Sequence, residues 1–556
     1  MGQACLLGID IGTSSCKVTL YDIQGNLIAQ ASGDYPVSRP SPLEAEQDPR
    51  DWWEAAKRAI IEVVNSPGVD KASIKGIGLS GQTPSQVLVD RQGNPVRPAI
   101  IWQDARATRE AAWLRDKVGR ERLQEFLGMD LPIEPTWTPA RLLWLSRNEP
   151  GSLERAYKIL QPKDYIGLKL TGEFFSDAWS SKGLVHLITG WPVREYLELV
   201  GVDAGHVPRC FRPFEVAGYT TRAAAEETSL PPGIPVVAGW SDALCGMLAL
   251  KAFSGPARGF NLSGTSEIAG VSSSDTVSDP LGLVPVPREL TGEVAILYGP
   301  TQCGSDSLKW FMEAFGPSAS LSPGGQLDSG RIAGGDAGAA GFHELIREGI
   351  TGSTLTSNSS PSSSSSSALA STSGSNSALG SGLGSTTSPT PGPMIFLPYL
   401  RGERAPIWDP LAKGVFLGVT REHRKADFIR AVLEGVAFSV RHVLTTAEEA
   451  SGVTAPSAAL AGGGARNHEW NQLRADVLGR PVEVLEVVES GTLGAAILAS
   501  VGAGIYESVR LATEGMVRIA SVYEPSTSRR GKYDELFEVY KDTYRALKGL
   551  FPRLCR

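Results

Sequence analysis

The chain has 556 residues, 42% hydrophobic and 20% charged, enough for two or three domains with substantial cores. Its 53 Lys and Arg against 60 Asp and Glu leave a net charge of −7, which gives no electrostatic footprint for nucleic acid or an anionic membrane. Six cysteines lie far apart with no CxxC pair, and no apolar run has the length of a membrane span. The first strand starts almost at once, with no secretory or transit pattern ahead of it. The expectation is a cytoplasmic protein in a reducing compartment, binding neither nucleic acid nor membrane.

The first element is a hairpin, Leu6 to Asp22, in which two apolar runs flank the turn Gly12-Thr13-Ser14-Ser15. Asp10 sits inside the first strand. A buried acid is costly unless it is paired or holds a metal, and the turn beside it offers backbone N–H groups and hydroxyls suited to phosphate. A third strand is expected around Leu27 to Ala31. A helix then opens with Asp48 as N-cap and Pro49 at its first position, and Trp52, Ala55, Ala59, Ile60 and Val63 recur at helical spacing. The strand Ile74 to Ser80 contains Gly76-Ile77-Gly78-Leu79-Ser80-Gly81, formally GxGxxG. A dinucleotide fingerprint needs a helix starting within the glycines. Here Pro84 and a further strand follow, so the small residues are read as points of close approach. Next, Ile100 to Arg106 ends a strand on Trp102, Gln103, Asp104 and Arg106. Asp104 either caps the helix Ala107 to Val118 or lines a polyol site.

Pro162 to Glu173 reads as a short helix ended by Thr171-Gly172. Ile234 to Gly246 reads as a strand, a glycine turn and an apolar helix, with Asp242 at the helix start. Taken alone, Asp242 is an acid stabilised by the helix dipole. Phe260 to Val271 repeats the first hairpin, with Gly264-Thr265-Ser266 as its turn, and so suggests two similar halves. Residues 352–392 are almost wholly Ser, Thr, Gly, Ala, Pro and Asn, without charge or aromatic. They cannot bury a core, and a disordered, dispensable insertion is expected. Helices resume with Lys425 to Glu448. A third glycine-rich turn, Leu460 to Asn467, leads into a helix, and further helices are expected from Glu489 and over Lys532 to Leu547.

The three glycine-rich turns, in this order, resemble the two phosphate motifs and the adenosine motif of the actin-like sugar kinases. Pro398 to Pro410, Lys413 to Gly418, His423 and Arg430 to Phe438 are similar to the C-terminal signature of the FGGY carbohydrate kinases. Within that family the chain is most similar to the xylulokinases. The resemblance implies an α/β fold of two actin-like (ribonuclease H-like) domains with an interdomain cleft. Residues 1–252 would form the sugar side, and 253–550, interrupted by 352–392, the ATP side. It implies ATP as nucleotide, Mg²⁺ as metal and a small sugar as substrate, and it leaves room for a homodimer. Asp242 matches the catalytic aspartate and also a substrate contact, with Gln82, Thr83 and Asp104 on the sugar side. Thr13, Ser14, Lys17, Gly264, Thr265, Ser266, Gly463, Gly464 and Asn467 match nucleotide positions, and Asp10 matches the metal-holding acid. The implied reaction is phosphorylation of D-xylulose to D-xylulose 5-phosphate. The alternatives are a kinase for another ketose, polyol or sugar acid, such as ribulose, glycerol or gluconate, or an actin-like ATP-binding protein without transfer. Two departures bear on the sugar. Thr83-Pro84 stands where xylulokinases usually carry Met-His, and Ala243 where they usually carry Asn.

Overall fold

The structure, a computed structural model, describes residues 4–130, 133–292, 294–315, 336–352, 391–486 and 489–554. Most of the serine-rich stretch expected to be a disordered insertion, 353–390, lies outside the described residues.

The expected hairpin forms from β1 (Cys5–Ile11) and β2 (Ser15–Asp22), and β3 (Leu27–Asp34) continues it antiparallel. Asp48 caps α1 (Pro49–Val64), its side chain accepting from Arg50 N. The glycine-bearing strand β4 (Ile74–Gly81) runs parallel to β1. After α2 (Pro162–Thr171) come β5 (Val216–Tyr219), β6 (Pro235–Val237) and the short β7 (Trp240–Ser241). They complete a seven-stranded sheet of order β5-β6-β4-β1-β2-β3, with β7 also on β4. Helix α3 (Asp242–Ala249) leaves β7 directly.

The second half repeats this plan. Strands β8 (Gly259–Ser263), β9 (Glu267–Ser273), β10 (Val284–Val286) and β11 (Ala295–Pro300) form an antiparallel group. After α4 (Lys425–Ser451), β12 (Ala458–Ala461) pairs parallel with β8; α5 (His468–Leu478) and the parallel β13 (Val482–Leu485) follow. Helix α6 (Ser490–Gly502) precedes the edge strand β14 (Ile519–Tyr523), and α7 (Arg530–Leu547) ends the series. The sheet order is β10-β11-β9-β8-β12-β13-β14. Strands β3-β2-β1-β4-β6-β5 correspond one for one to β11-β9-β8-β12-β13-β14, three antiparallel strands, two parallel additions and an antiparallel edge. The echo between the two Gly-Thr-Ser hairpins is thus the trace of two like sheets.

Helix α6 lies in sequence between β13 and β14 of the second sheet but packs on the first. The glycines of β1 and β4 make that possible. A Cβ on Gly8 would fall 2.0 Å from Thr492 O, and one on Gly78 would fall 1.8 Å from Ala495 O. On its other side, a Cβ on Gly494 would lie 2.0 Å from Cys245 O of α3. The GxGxxG strand is therefore a bed for a helix, as its position inside a strand implied. Backbone cannot yield as a side chain can, so Gly78→Ala is expected to destabilise the protein by about 3 kcal/mol or more. A thermal melt checks this, and a midpoint unchanged within about 2 °C would contradict the packing.

Among the described residues no helix is long and apolar enough to cross a membrane, and none of the five described cysteines forms a disulfide.

Candidate active site

Strands β1, β4 and β7 all end at one edge of the first sheet. Their register sets Asp10 beside Ser80, Ser80 beside Trp240, and Gly81 beside both Ile11 and Ser241. The next residue along each strand, Gly12, Gln82 and Asp242, therefore reaches the same edge, where open α/β sheets bind ligands.

The turn after β1 has its carbonyls turned inward. Tyr35 donates from its hydroxyl to Gly12 O (2.7 Å) and from its N–H to Ser14 O (3.1 Å), and Gln47 Nε2 donates to Thr13 O (2.8 Å). With its acceptors occupied on one side, the turn presents a donor-rich face, the arrangement that binds anions. Thr13 Oγ1 accepts from Trp102 Nε1 at 2.9 Å, and Ser14 is exposed. Asp10 Oδ1 accepts from Ser80 Oγ at 2.6 Å. Its other oxygen lies over the first turn of α6, 2.8 Å from where a Cβ on Gly491 would stand. Burial pushes the Asp10 carboxyl above the usual range, against the Ser80 bond and the charge of Lys17.

Asp242 is the first residue of α3, behind Ser241, whose Oγ caps the helix through Leu244 N. Its Oδ1 accepts from Ala243 N at 2.7 Å. The residue keeps a partly open face but is otherwise enclosed. Burial first, and the negative charge of Asp10 second, push its carboxyl up to about 7, against the Ala243 N–H and Lys182. From the second sheet, Tyr298 of β11 comes near enough that the charge of Asp242 adds to the burial pushing its phenol up. Asp242 is thus approached from both halves.

Gln82 is 1% exposed, and its orientation follows from its neighbours. Trp52 Nε1 can only donate, and it donates to Gln47 Oε1 (3.2 Å). Gln82 Nε2 donates to the same oxygen (2.8 Å), which leaves Gln82 Oε1 buried without a partner. An unpaired buried acceptor is expensive and suits a substrate hydroxyl. Thr83 adjoins it and accepts from Lys182 Nζ at 3.3 Å.

Asp104 does not cap the helix after it: that helix starts at Thr108 behind Ala107, with no side-chain cap. Instead Asp104 is fully buried, accepting from Ala45 N (2.7 Å) and from Arg106 Nε and Nη2 (2.7–3.0 Å). In this conformation it orders the strand end and offers no free oxygen to a sugar. Lys17 is likewise engaged, paired with Glu489 at 2.6 Å.

On the second half, Gly264, Thr265 and Ser266 follow β8, and Gly462 to Gly464 follow β12 alongside it. Gly264 O accepts from Ser305 N (3.0 Å) and Ser305 Oγ (2.7 Å), and Thr265 is exposed. A Cβ on Gly464 would stand 2.2 Å from Ser263 Oγ, so the later turn sits against the end of β8. The expected direct entry into a helix is replaced by one 3₁₀ turn, Gly463–Arg466, before α5. Gly463 is exposed. Asn467 caps α5, its Oδ1 accepting from Trp470 N at 2.8 Å, while its Nδ2 meets His343 Nδ1 at 3.1 Å. Its side chain, like that of Lys17, is already engaged within the fold.

Two lysines at the site carried no readable signal in the sequence. Lys163 of α2 is fully buried, donating to Asp164 Oδ1 (2.6 Å) and Ala238 O (2.8 Å), the latter on the approach to Asp242, and ion-paired with Asp177 Oδ2 at 2.9 Å. Burial opposes its charge, but the two carboxylates outweigh burial and hold its pKa above the usual value. Lys182, 5% exposed, sits beside Thr83. Neither lies on a periodic face, and only the tertiary fold brings them to the strand ends.

Residues 5–249 match the family model described as the N-terminal domain of the FGGY family of carbohydrate kinases, and residues 259–503 match its C-terminal domain. A xylulose kinase of Staphylococcus epidermidis is 28% identical over 99% of this chain and 98% of its own length. A gluconokinase of Bacillus subtilis is 24% identical over 99% and 97%. A solved structure of a xyloylose kinase from Brucella ovis superposes with a TM-score of 0.79 at 28% identity, over 98% of this chain and all of its own.

Proposed function

We propose, on the premise that this chain belongs to the FGGY family of carbohydrate kinases and is an ATP-dependent sugar kinase, that its acceptor is D-xylulose and its product D-xylulose 5-phosphate. The observation that carries the transfer chemistry is Asp242: an enclosed carboxyl with one open face and a pKa of about 7, at the strand edge that also bears the phosphate turn and the unpaired oxygen of Gln82. Support for the sugar comes from likeness to xylulose kinases over nearly the whole chain.

Phosphoryl transfer needs positioning and charge neutralisation more than covalent help. Asp242 accepts the proton of the attacking sugar hydroxyl as its oxygen bonds to the γ-phosphorus and the bond to ADP breaks. Gln82 Oε1 accepts from a second hydroxyl and fixes the sugar. The turns at Thr13-Ser14 and Gly264-Thr265-Ser266 donate to phosphate oxygens, more strongly where water is excluded. Asp10 fits Mg²⁺: one oxygen is fixed by Ser80, and the other faces Gly491, where any side chain would close the space. Among the described residues no cluster of three ligating side chains occurs, which suits a metal held by one carboxylate, water and substrate phosphates. When bound, Mg²⁺ neutralises charge on those phosphates.

Thr83-Pro84 and the gluconokinase relative favour a second reading, a kinase for a sugar acid. A coupled ADP-release assay with D-xylulose, D-ribulose, D-gluconate and glycerol tests the choice. The highest kcat/KM is expected with D-xylulose. A better value with any other acceptor would replace the sugar, and ADP release indifferent to all four would remove transfer itself.

A further inference from the structure

We infer that Lys182 is an acceptor-binding residue, and that its ammonium, held by Thr83 and Trp179 beside Asp242, donates to a carbonyl or carboxylate oxygen of the sugar. The inference rests on the reading of the same pocket as the sugar site and names a chemical class within it.

Lys182 is a buried cation short of partners. Its Nζ donates to Thr83 Oγ1 (3.3 Å) and Trp179 O (3.2 Å) and lies 5.1 Å from the centre of the Trp179 ring. An ammonium has three N–H bonds, so one remains. Its acidic neighbours do not consume it. Asp177 is already bound to Lys163 at 2.9 Å, and Asp242 acts on Lys182 through space. Among the described residues no carboxylate stands within ion-pairing distance of it. A buried charge left so is costly unless a ligand completes it.

The position of the group also matters. Thr83, which holds it, directly follows Gln82, and Pro84 after it has no donor of its own. Lys182 supplies the donor at that corner; burial lowers its pKa to about 8, and below that pH the ammonium donates without accepting. Hydroxyl groups present both a donor and an acceptor, whereas a carbonyl or carboxylate oxygen only accepts. A hydroxyl can accept from the ammonium too, but its own proton then needs a further buried acceptor, whereas a carbonyl oxygen brings no such proton and a carboxylate adds charge assistance; the pocket therefore favours ketoses and sugar acids over simple polyols.

The test is steady-state kinetics of the full chain and of Lys182→Met, a near-isosteric change that removes the charge, with D-xylulose, D-gluconate and xylitol. For whichever of the first two is the better acceptor, KM is expected to rise roughly tenfold to hundredfold. KM for ATP should stay within twofold, and xylitol should change by less than threefold. That pattern with D-gluconate as the better acceptor keeps the role of Lys182 and overturns D-xylulose as substrate. Unchanged KM for every acceptor, or equal losses for all three and for ATP, would overturn the role of Lys182. Thr83→Val, which removes the hydroxyl that holds the ammonium, should raise the same KM in the same pattern. It decides the matter should Lys182→Met fail to fold, and an unchanged KM there counts against the inference.

Discussion

Asp242→Asn is expected to lower acceptor-dependent turnover by about 10²–10⁴-fold while making the folded protein more stable at pH 8. Asn keeps the shape and the contact with Ala243 N, and it loses only the ability to take a proton. The stability gain follows from burial. In the folded chain the carboxyl is pushed up to about 7 from its ordinary 3.8, so the native state holds a proton that the unfolded chain releases. The stability this group contributes is fully present below about pH 4 and is lost as pH rises through 7. At pH 8 the ionised form costs at most roughly 4 kcal/mol, less to the extent that its open face is solvated. The Asn variant does not titrate there, so its advantage should grow between pH 4 and 7 and level off above. An acid that serves only the helix dipole predicts the opposite sign, a loss of roughly 1 kcal/mol with near-normal turnover. Melting curves at pH 5 and pH 8, with turnover on the same samples, separate the two. The ionised base also predicts that the parent enzyme's turnover falls as pH drops below about 7.

Lys163→Met is expected to destabilise the protein by about 3–5 kcal/mol, the usual cost of breaking a buried ion pair from one side. The ammonium of Lys163 is the cation between Asp164 and Asp177, all three within 1% of complete burial. Removing it leaves two carboxylates facing each other in the interior and frees Ala238 O at the turn that leads to Asp242. Adding Asp177→Asn should recover part of the loss, because the double variant carries one uncompensated charge fewer. Chemical denaturation of parent, single and double variants measures the coupling. Additive losses would show that the three groups are not a unit.

The elements readable from the sequence are those whose cause is local. Asp48-Pro49 announces α1 through its own capping chemistry, and apolar runs flanking Gly-Thr-Ser turns announce both hairpins. The echo of Leu6–Asp22 in Phe260–Val271 carries the duplication of the sheets, because each half starts from the same hairpin. The glycines of Ile74–Gly81 show that something approaches that strand but not what. Only the fold brings in α6, more than 400 residues later. Asp242 is recognisable by family likeness, since by local chemistry it is an ordinary helix-start acid. What changes its character is enclosure beside Asp10, a tertiary fact. By sequence Asp104 suits a helix cap or a sugar ligand. The structure gives it a third use, because Arg106, two residues on, folds back onto it. Lys163 and Lys182 are single cations amid small or apolar residues, and no pattern in their segments separates a buried cation from a solvated one.

This pocket is expected to transfer the γ-phosphoryl group of ATP to a hydroxyl, facing Asp242, of a sugar that Gln82 and Lys182 hold at its other groups. Phosphorus-31 NMR of the reaction of the purified chain with ATP, magnesium and D-xylulose tests it most directly. The account predicts that a phosphomonoester resonance coupled to the C5 methylene protons grows in step with ADP, with little inorganic phosphate, and that Asp242→Asn slows its appearance at least a hundredfold. ADP accompanied only by inorganic phosphate, at the same rate with and without any sugar, would contradict it.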